Sequence, residues 1–159
     1  MRTNQDILMA AGFGVLAGMR SMTAPAFLTR ELSRNPTRAL KRSLPGLTSK
    51  KVAQRLGFLA LGELVADKSS KTPARIAFPP LTGRILAGAI SGAAVSRDRK
   101  GAKLGYALVG AAAAIASSYV FYGLRRFVTH RLRVPNLAAG LVEDGLTMAL
   151  GSRLTRALR

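Results

Sequence analysis

From Leu104 to Leu124 the chain runs 21 residues without a formal charge, LGYALVGAAAAIASSYVFYGL. About 20 such residues are what an α-helix needs to cross the hydrocarbon core of a bilayer. Lys103 precedes the run and Arg125 and Arg126 follow it, so charge marks both ends. Tyr119 and Tyr122 fall near one end, where amphipathic rings favour the membrane interface. This segment predicts a membrane span, and the rest of the chain has to be compatible with it.

Four other apolar segments are shorter and rich in small residues. They cover 7–28, broken near 20–25 by Arg20, Ser21 and Pro25, then 52–67, 84–97 and 136–151, with the long span at 104–124. Beside one span, segments of this length read as short or broken membrane helices. Residues 29–51 read as a basic loop interrupted by Pro36, Pro45 and Gly46, with 39–44 suited to a basic turn on an anionic surface. Pro73, Pro79 and Pro80 keep 67–84 from being one continuous helix. The fold class expected is all-α: a polytopic membrane protein of four or five short helices in a single membrane domain. No cleavable signal is expected, because Arg20 follows the apolar run 7–19 and Asp6 stands before it.

Composition narrows the function classes. Apolar residues make up 48% of the 159, which excludes intrinsic disorder. Cysteine is absent and there is one histidine, which excludes a disulfide scaffold and argues against zinc. With 25 Lys+Arg against 7 Asp+Glu the net charge is +18, which would also suit a nucleic-acid binder. Here the cations are dispersed among apolar segments and not interleaved with aromatics, so no nucleic-acid partner is expected. Basic membrane loops imply contact with anionic lipid headgroups instead. If all five segments cross, the side that holds the first loop, the third loop and the C-terminus carries the excess of basic residues, and the positive-inside bias puts the C-terminus in the cytoplasm.

A candidate internal repeat appears at an offset of 78. Ile7 and Leu8 align with Ile85 and Leu86, Gly14 with Gly92, Leu59 and Ala60 with Leu137 and Ala138, and Gly62 with Gly140. Two repeats, inverted in topology, would place interrupted helices at matching points around a central transporter site. Gly14-x3-Gly18 and Gly88-x3-Gly92 read as close-packing pairs, since helices in lipid associate mainly through van der Waals contact.

The acidic residues are the sharpest signal. Of the seven, Glu63, Asp67, Glu143 and Asp144 lie within or at the end of apolar segments, where charge is expensive. Glu63 and Asp67 share a helix face. Asn136, Gly140, Glu143, Thr147 and Gly151 form a small, polar stripe. Arg20 is the natural intramembrane partner, with Ser21 and Thr23 adding hydrogen-bonding groups. Asp67, beside Lys68, reads as interfacial and Glu143 as buried. Arg20, Lys68, Arg75 and Arg84 could bind an anion, because guanidinium groups fit phosphate bidentately. A half-helix starting after Pro25 would add backbone N–H donors.

GVLAGMRSMTAPAF, LGFLALGELVADK, TPARIAFPPLTGRILAGAISGAA and AGLVEDGL together resemble a family of small bacterial integral membrane proteins of unknown function. The resemblance rests on Gly18, Arg20 and Ser21; on Gly62, Glu63, Asp67 and Lys68; on Pro73 and Arg75; on Gly83 and Arg84; and on Glu143 and Asp144. It covers most of residues 10–150 and implies a multi-pass protein of the bacterial inner membrane, with no activity to carry over.

The leading expectation is a small transporter or flippase for an ion, an anionic small molecule or a lipid headgroup. Its site would comprise Arg20, Ser21, Glu63, Asp67, Lys68, Arg75, Arg84, Glu143 and Asp144, with no metal or cofactor. A chain this short would need a homodimer to enclose a pathway. The alternative is a scaffold whose buried ion pairs only hold helices together. A membrane enzyme of lipid-phosphate chemistry comes third; no nucleophile elbow, P-loop or zincin motif is present, so the chain is not expected to be an enzyme.

Overall fold

A computed structural model describes residues 2–34, 36, 41–42, 45–66, 76–96 and 103–158. Among the described residues the structure is all-helical. Six α-helices are delimited among them: α1 (Arg2–Met19), α2 (Thr23–Arg34), α3 (Lys50–Ala66), α4 (Pro80–Val95), α5 (Lys103–His130) and α6 (Asn136–Ala157). A short 3-10 turn, Pro45–Thr48, precedes α3.

The sequence expectation of four or five short helices is corrected in two ways. The apolar run 7–28 forms two helices, because α1 stops at Met19 and α2 starts at Thr23. Pro25 lies inside the first turn of α2, where its missing N–H takes no intrahelical bond. And α5 is 28 residues long, since Arg125 and Arg126 do not end it. Arginine is a good helix former, and Arg125 is held in place by bonds to α6 described below. The basic loop 29–51 is also corrected. Thr29–Arg34 is the second half of α2, with Glu31 and Leu32 buried, and α3 already begins at Lys50. Helix α2 ends two residues before Pro36, as steric restriction ahead of a proline requires. Pro80 opens α4, since a proline at the first helical position sacrifices no intrahelical bond.

The tightest packing is among α1, α4 and α5, and glycine is its cause. A Cβ on Gly88 would come within 2.6 Å of the Gly110 carbonyl oxygen, and one on Gly14 within 2.8 Å of Ala113 Cβ. Gly18 lies against Ser117, and Gly92 against the backbone of Tyr106. Both small-residue pairs read from the sequence therefore seat in α5. These matches run α1 parallel to α5, and α4 antiparallel to it. Hydroxyls join the same seam: Ser117 Oγ donates to the Val15 carbonyl at 2.9 Å and Ser118 Oγ to the Gly18 carbonyl at 3.2 Å.

Helix α6 runs antiparallel to α1. Leu154 lies against Gly12, and Thr147 Oγ1 is 3.9 Å from Met19 Sδ. Helix α2 doubles back from α1 and follows α6, with Phe27 against Gly151. Helix α3 then returns antiparallel to α2, bringing Glu63 to Ser21 and Ala53 beside Arg30. So the first apolar segment enters and turns back within the protein. The start of α1 and the end of α6 lie at one end of the bundle, unlike the five-crossing count.

Polarity is distributed inside out. Arg20 is 1% exposed, Arg84 4% and Glu143 5%, whereas Leu8 is 70% and Phe58 75% exposed. Along α5, Leu104, Leu108, Tyr119, Val120 and Leu124 face outward. Helix α5 is the one helix among the described residues that is long and apolar enough to cross a membrane, and only 28% of its apolar window is buried.

Candidate functional site at the α1–α2 break

A helix break inside a packed protein leaves carbonyls unsatisfied at one end and N–H groups at the other. Here both ends are answered by charged side chains from other helices. Arg84 of α4 donates through one Nη1 to the Gly18 and Met19 carbonyls, at 2.6 and 2.8 Å, at the C-terminus of α1. Glu63 of α3 answers the other end. Its Oε1 accepts from Ser21 N–H and Ser21 Oγ, each at 2.8 Å, and its Oε2 accepts from Met22 N–H at 2.8 Å. The signs follow the helix dipoles: cation at a C-terminus, carboxylate at an N-terminus. Arg84 Nη2 lies 3.9 Å from Glu63 Oε1, so the two capping charges also face each other.

Arg20 sits in the break itself. One amino group is ion-paired with Asp144 Oδ1 of α6, and the other donates to the Glu63 carbonyl at 3.3 Å. The backbone N–H of Arg20 still bonds to the Leu16 carbonyl, so the side chain leaves from the last turn of α1. The arginines are the buried members, with side chains 1% and 5% exposed, whereas Asp144 and Glu63 are 13% and 15% exposed.

Next to this cluster, Glu143 Oε2 is 3.6 Å from Arg125 Nη1. Arg125 Nε donates to Asn136 Oδ1 at 3.0 Å, tying the end of α5 to the start of α6. The stripe expected on α6 is present: Gly140, Glu143, Thr147 and Gly151 are its buried residues.

Of the residues anticipated from sequence, Arg20, Ser21, Glu63, Arg84 and Asp144 meet at the break. Glu143, next to Asp144 in sequence, is buried on the adjacent face of α6, beside Arg125. Asp67, Lys68 and Arg75 lie outside the described residues. The expectation that half-helix N–H groups would greet an anionic ligand is corrected: they bind the protein's own Glu63. The cause is position, since α3 returns antiparallel to α2 and delivers its carboxylate there. Sequence reasoning missed Arg125 because it sits in a run of cations, with nothing to separate it from Arg126. It missed Ser117 and Ser118 because two serines in an Ala-rich span carry no charge signal. Among the described residues, no group of three or more His, Asp or Glu side chains is placed to hold a metal ion.

The DUF4126 family, described as a domain of unknown function, matches residues 7–154, and the chain belongs to it. No curated protein and no solved structure matches the chain.

Proposed function

We propose that this DUF4126 member is a multi-pass protein of the bacterial cytoplasmic membrane, and that the α1–α2 break is the ion site of a small transporter. The apolar exterior supports the membrane, since so much exposed Leu, Phe and Val is a liability in water. Depth supports the site. Gly18, just before the break, lies level with Ser118, seven residues or about 10 Å along α5 from Arg125 at its charged end. The positive-inside bias supports an orientation. Arg30, Arg34, Lys50, Lys51, Arg55, Lys103, Arg153 and Arg156 lie at the end that holds both termini, against Arg125, Arg126, Arg131 and Arg133 at the other. The C-terminus stays cytoplasmic, as the sequence suggests, and the N-terminus joins it.

The single observation that carries the transport reading is a broken helix whose buried Arg20 is paired to the more accessible Asp144. Intramembrane charges at half-helix ends are where transporters bind ions. A proton arriving on Asp144, or an anion arriving on Arg20, disrupts the same pair. That gives the two ligands a physical coupling. The homodimer expected from size would enclose the pathway.

The test is ion flux. The full chain in liposomes loaded with a pH-sensitive dye, under an imposed potential, is expected to carry protons faster than empty liposomes. Asp144→Asn is expected to reduce flux to background while helix content is retained. Equal flux in both proteins would overturn the assignment. One observation favours the scaffold reading: Glu63 already accepts three hydrogen bonds from its own protein. A scaffold carries no flux with protons or with any small anion tried, and that result would decide for it.

A further inference from the structure

A second site lies between α2 and α3, running from the start of α2 at Thr23 toward the end that carries both termini. Two cavities there are contiguous, because Arg30, Ala53, Gln54 and Gly57 line both. The inner one, about 430 Å³, is walled by Phe27, Leu61, Leu64 and Met148. The outer one, about 460 Å³, is walled by Ser33, Arg34 and Lys50. Among the described residues, no acidic side chain lines either cavity, and no ion pair engages Arg30, Arg34 or Lys50. Glu31, next to Arg30 in sequence, is buried and lines neither.

We infer that this groove binds one anionic phospholipid, its phosphate on Arg30, Arg34 and Lys50 and an acyl chain in the inner cavity. Three exposed cations that no carboxylate among the described residues neutralises form a positive patch complementary to an anion, and the adjoining apolar wall suits a hydrocarbon. A free phosphate would leave the inner cavity unfilled, and a neutral lipid would leave the cations unanswered. The length fits: from Lys50 to Leu64 along α3 is about 21 Å, a headgroup plus the upper part of a chain. Position fits as well, since basic pockets between membrane helices on the cytoplasmic side are where anionic headgroups bind. Gly57 leaves the groove open, because nothing lies within 4 Å of where its Cβ would be. The inference rests on the membrane reading but not on transport.

The experiment is native mass spectrometry of the full chain in mild detergent, titrated with phosphatidylglycerol or with phosphatidylcholine. Phosphatidylglycerol is expected to bind the wild type at least tenfold more tightly than phosphatidylcholine. Arg30→Gln with Arg34→Gln is expected to weaken phosphatidylglycerol by about thirty-fold, at roughly a factor of five per cation. Gly57→Leu fills the groove without touching a cation, and is expected to expel the lipid from a protein of unchanged helix content. It decides the matter if the double variant does not fold. Equal binding of the two lipids, or full phosphatidylglycerol binding by Gly57→Leu, would overturn the site. Displacement of the lipid by inorganic phosphate at equal concentration would overturn it in favour of a free-anion site. Carbonate extraction of native membranes separates the two failures: a protein that stays with the membrane but shows no lipid preference loses this site and keeps the membrane reading.

Discussion

Replacing Glu63 with glutamine isolates what the carboxylate does for the break. The substitution keeps volume and removes charge. A glutamine oxygen in the Oε1 position retains both bonds from Ser21. The amide nitrogen then occupies the Oε2 position, donor against donor with Met22 N–H. One charge-assisted bond is lost, worth about 1.5–3 kcal/mol. The interaction of a charge with the α2 dipole adds about 0.3–1 kcal/mol. The sum predicts a destabilisation of about 2–4 kcal/mol. Glu63→Ala removes all three bonds and should cost more. The assay is detergent-driven unfolding in mixed micelles followed by far-ultraviolet circular dichroism, which suits a chain without tryptophan. Amide hydrogen exchange locates the effect: Ser21 and Met22 should exchange faster in Glu63→Ala, and residues mid-way along α5 should not. A Glu63→Gln protein within about 0.5 kcal/mol of wild type, below the range for losing a charged bond, would refute the capping argument.

Other expectations follow from the same contacts. Gly110→Ala drives a methyl into the Gly88 carbonyl and should cost about 1–3 kcal/mol, while Gly123→Ala, with open space around it, should be neutral or gain up to about 1 kcal/mol; unfolding in micelles compares them. Arg20→Met alone breaks the buried Arg20–Asp144 pair and should cost about 3–5 kcal/mol, and Arg20→Met with Asp144→Leu should recover most of it, a double-mutant cycle that reads the pair directly. The natural chain has no cysteine, so single cysteines can be placed freely. Arg34→Cys and Arg153→Cys should react with an impermeant thiol reagent from one side of the membrane and Arg131→Cys from the other. Labelling of Arg34→Cys and Arg153→Cys from opposite sides would refute the doubling-back of α2.

Much of the helix pattern was legible because apolar runs and proline are local signals. The interruption near Arg20 was visible as a charge in an apolar run, and the α6 stripe as steps of three and four. The Gly14 and Gly88 pairs could be read as packing, but their common partner, Gly110, could not. That choice depends on how three helices cross. The partners of the charges were illegible for the same reason. Glu63 lies 42 residues from Ser21, and Asp144 lies 124 from Arg20. The return of α3 along α2 brings the first pair together, and the antiparallel packing of α6 on α1 brings the second. Misjudging 29–51 had another origin: its seven cations hide the burial of Glu31 and Leu32, which continue the buried face of α2 from Leu28.

The break itself bears on the choice between transporter and scaffold. A continuous helix through residues 7–28 would satisfy its own backbone and need no charge to stabilise it in lipid. This chain instead interrupts the helix and answers the exposed ends with Arg84 and Glu63, while Arg20 takes Asp144. Buried ion pairs are seldom the most stable way to fill a core, and apolar replacements are often neutral or better. A protein that needed only a stable bundle would have a cheaper solution in an unbroken apolar hairpin. What the break provides is four charges brought together, with the carboxylates on the accessible side. Those are the properties an ion site requires. The same contacts also hold a scaffold together, so stability measurements on these residues do not separate the two readings, and the Asp144→Asn flux measurement does.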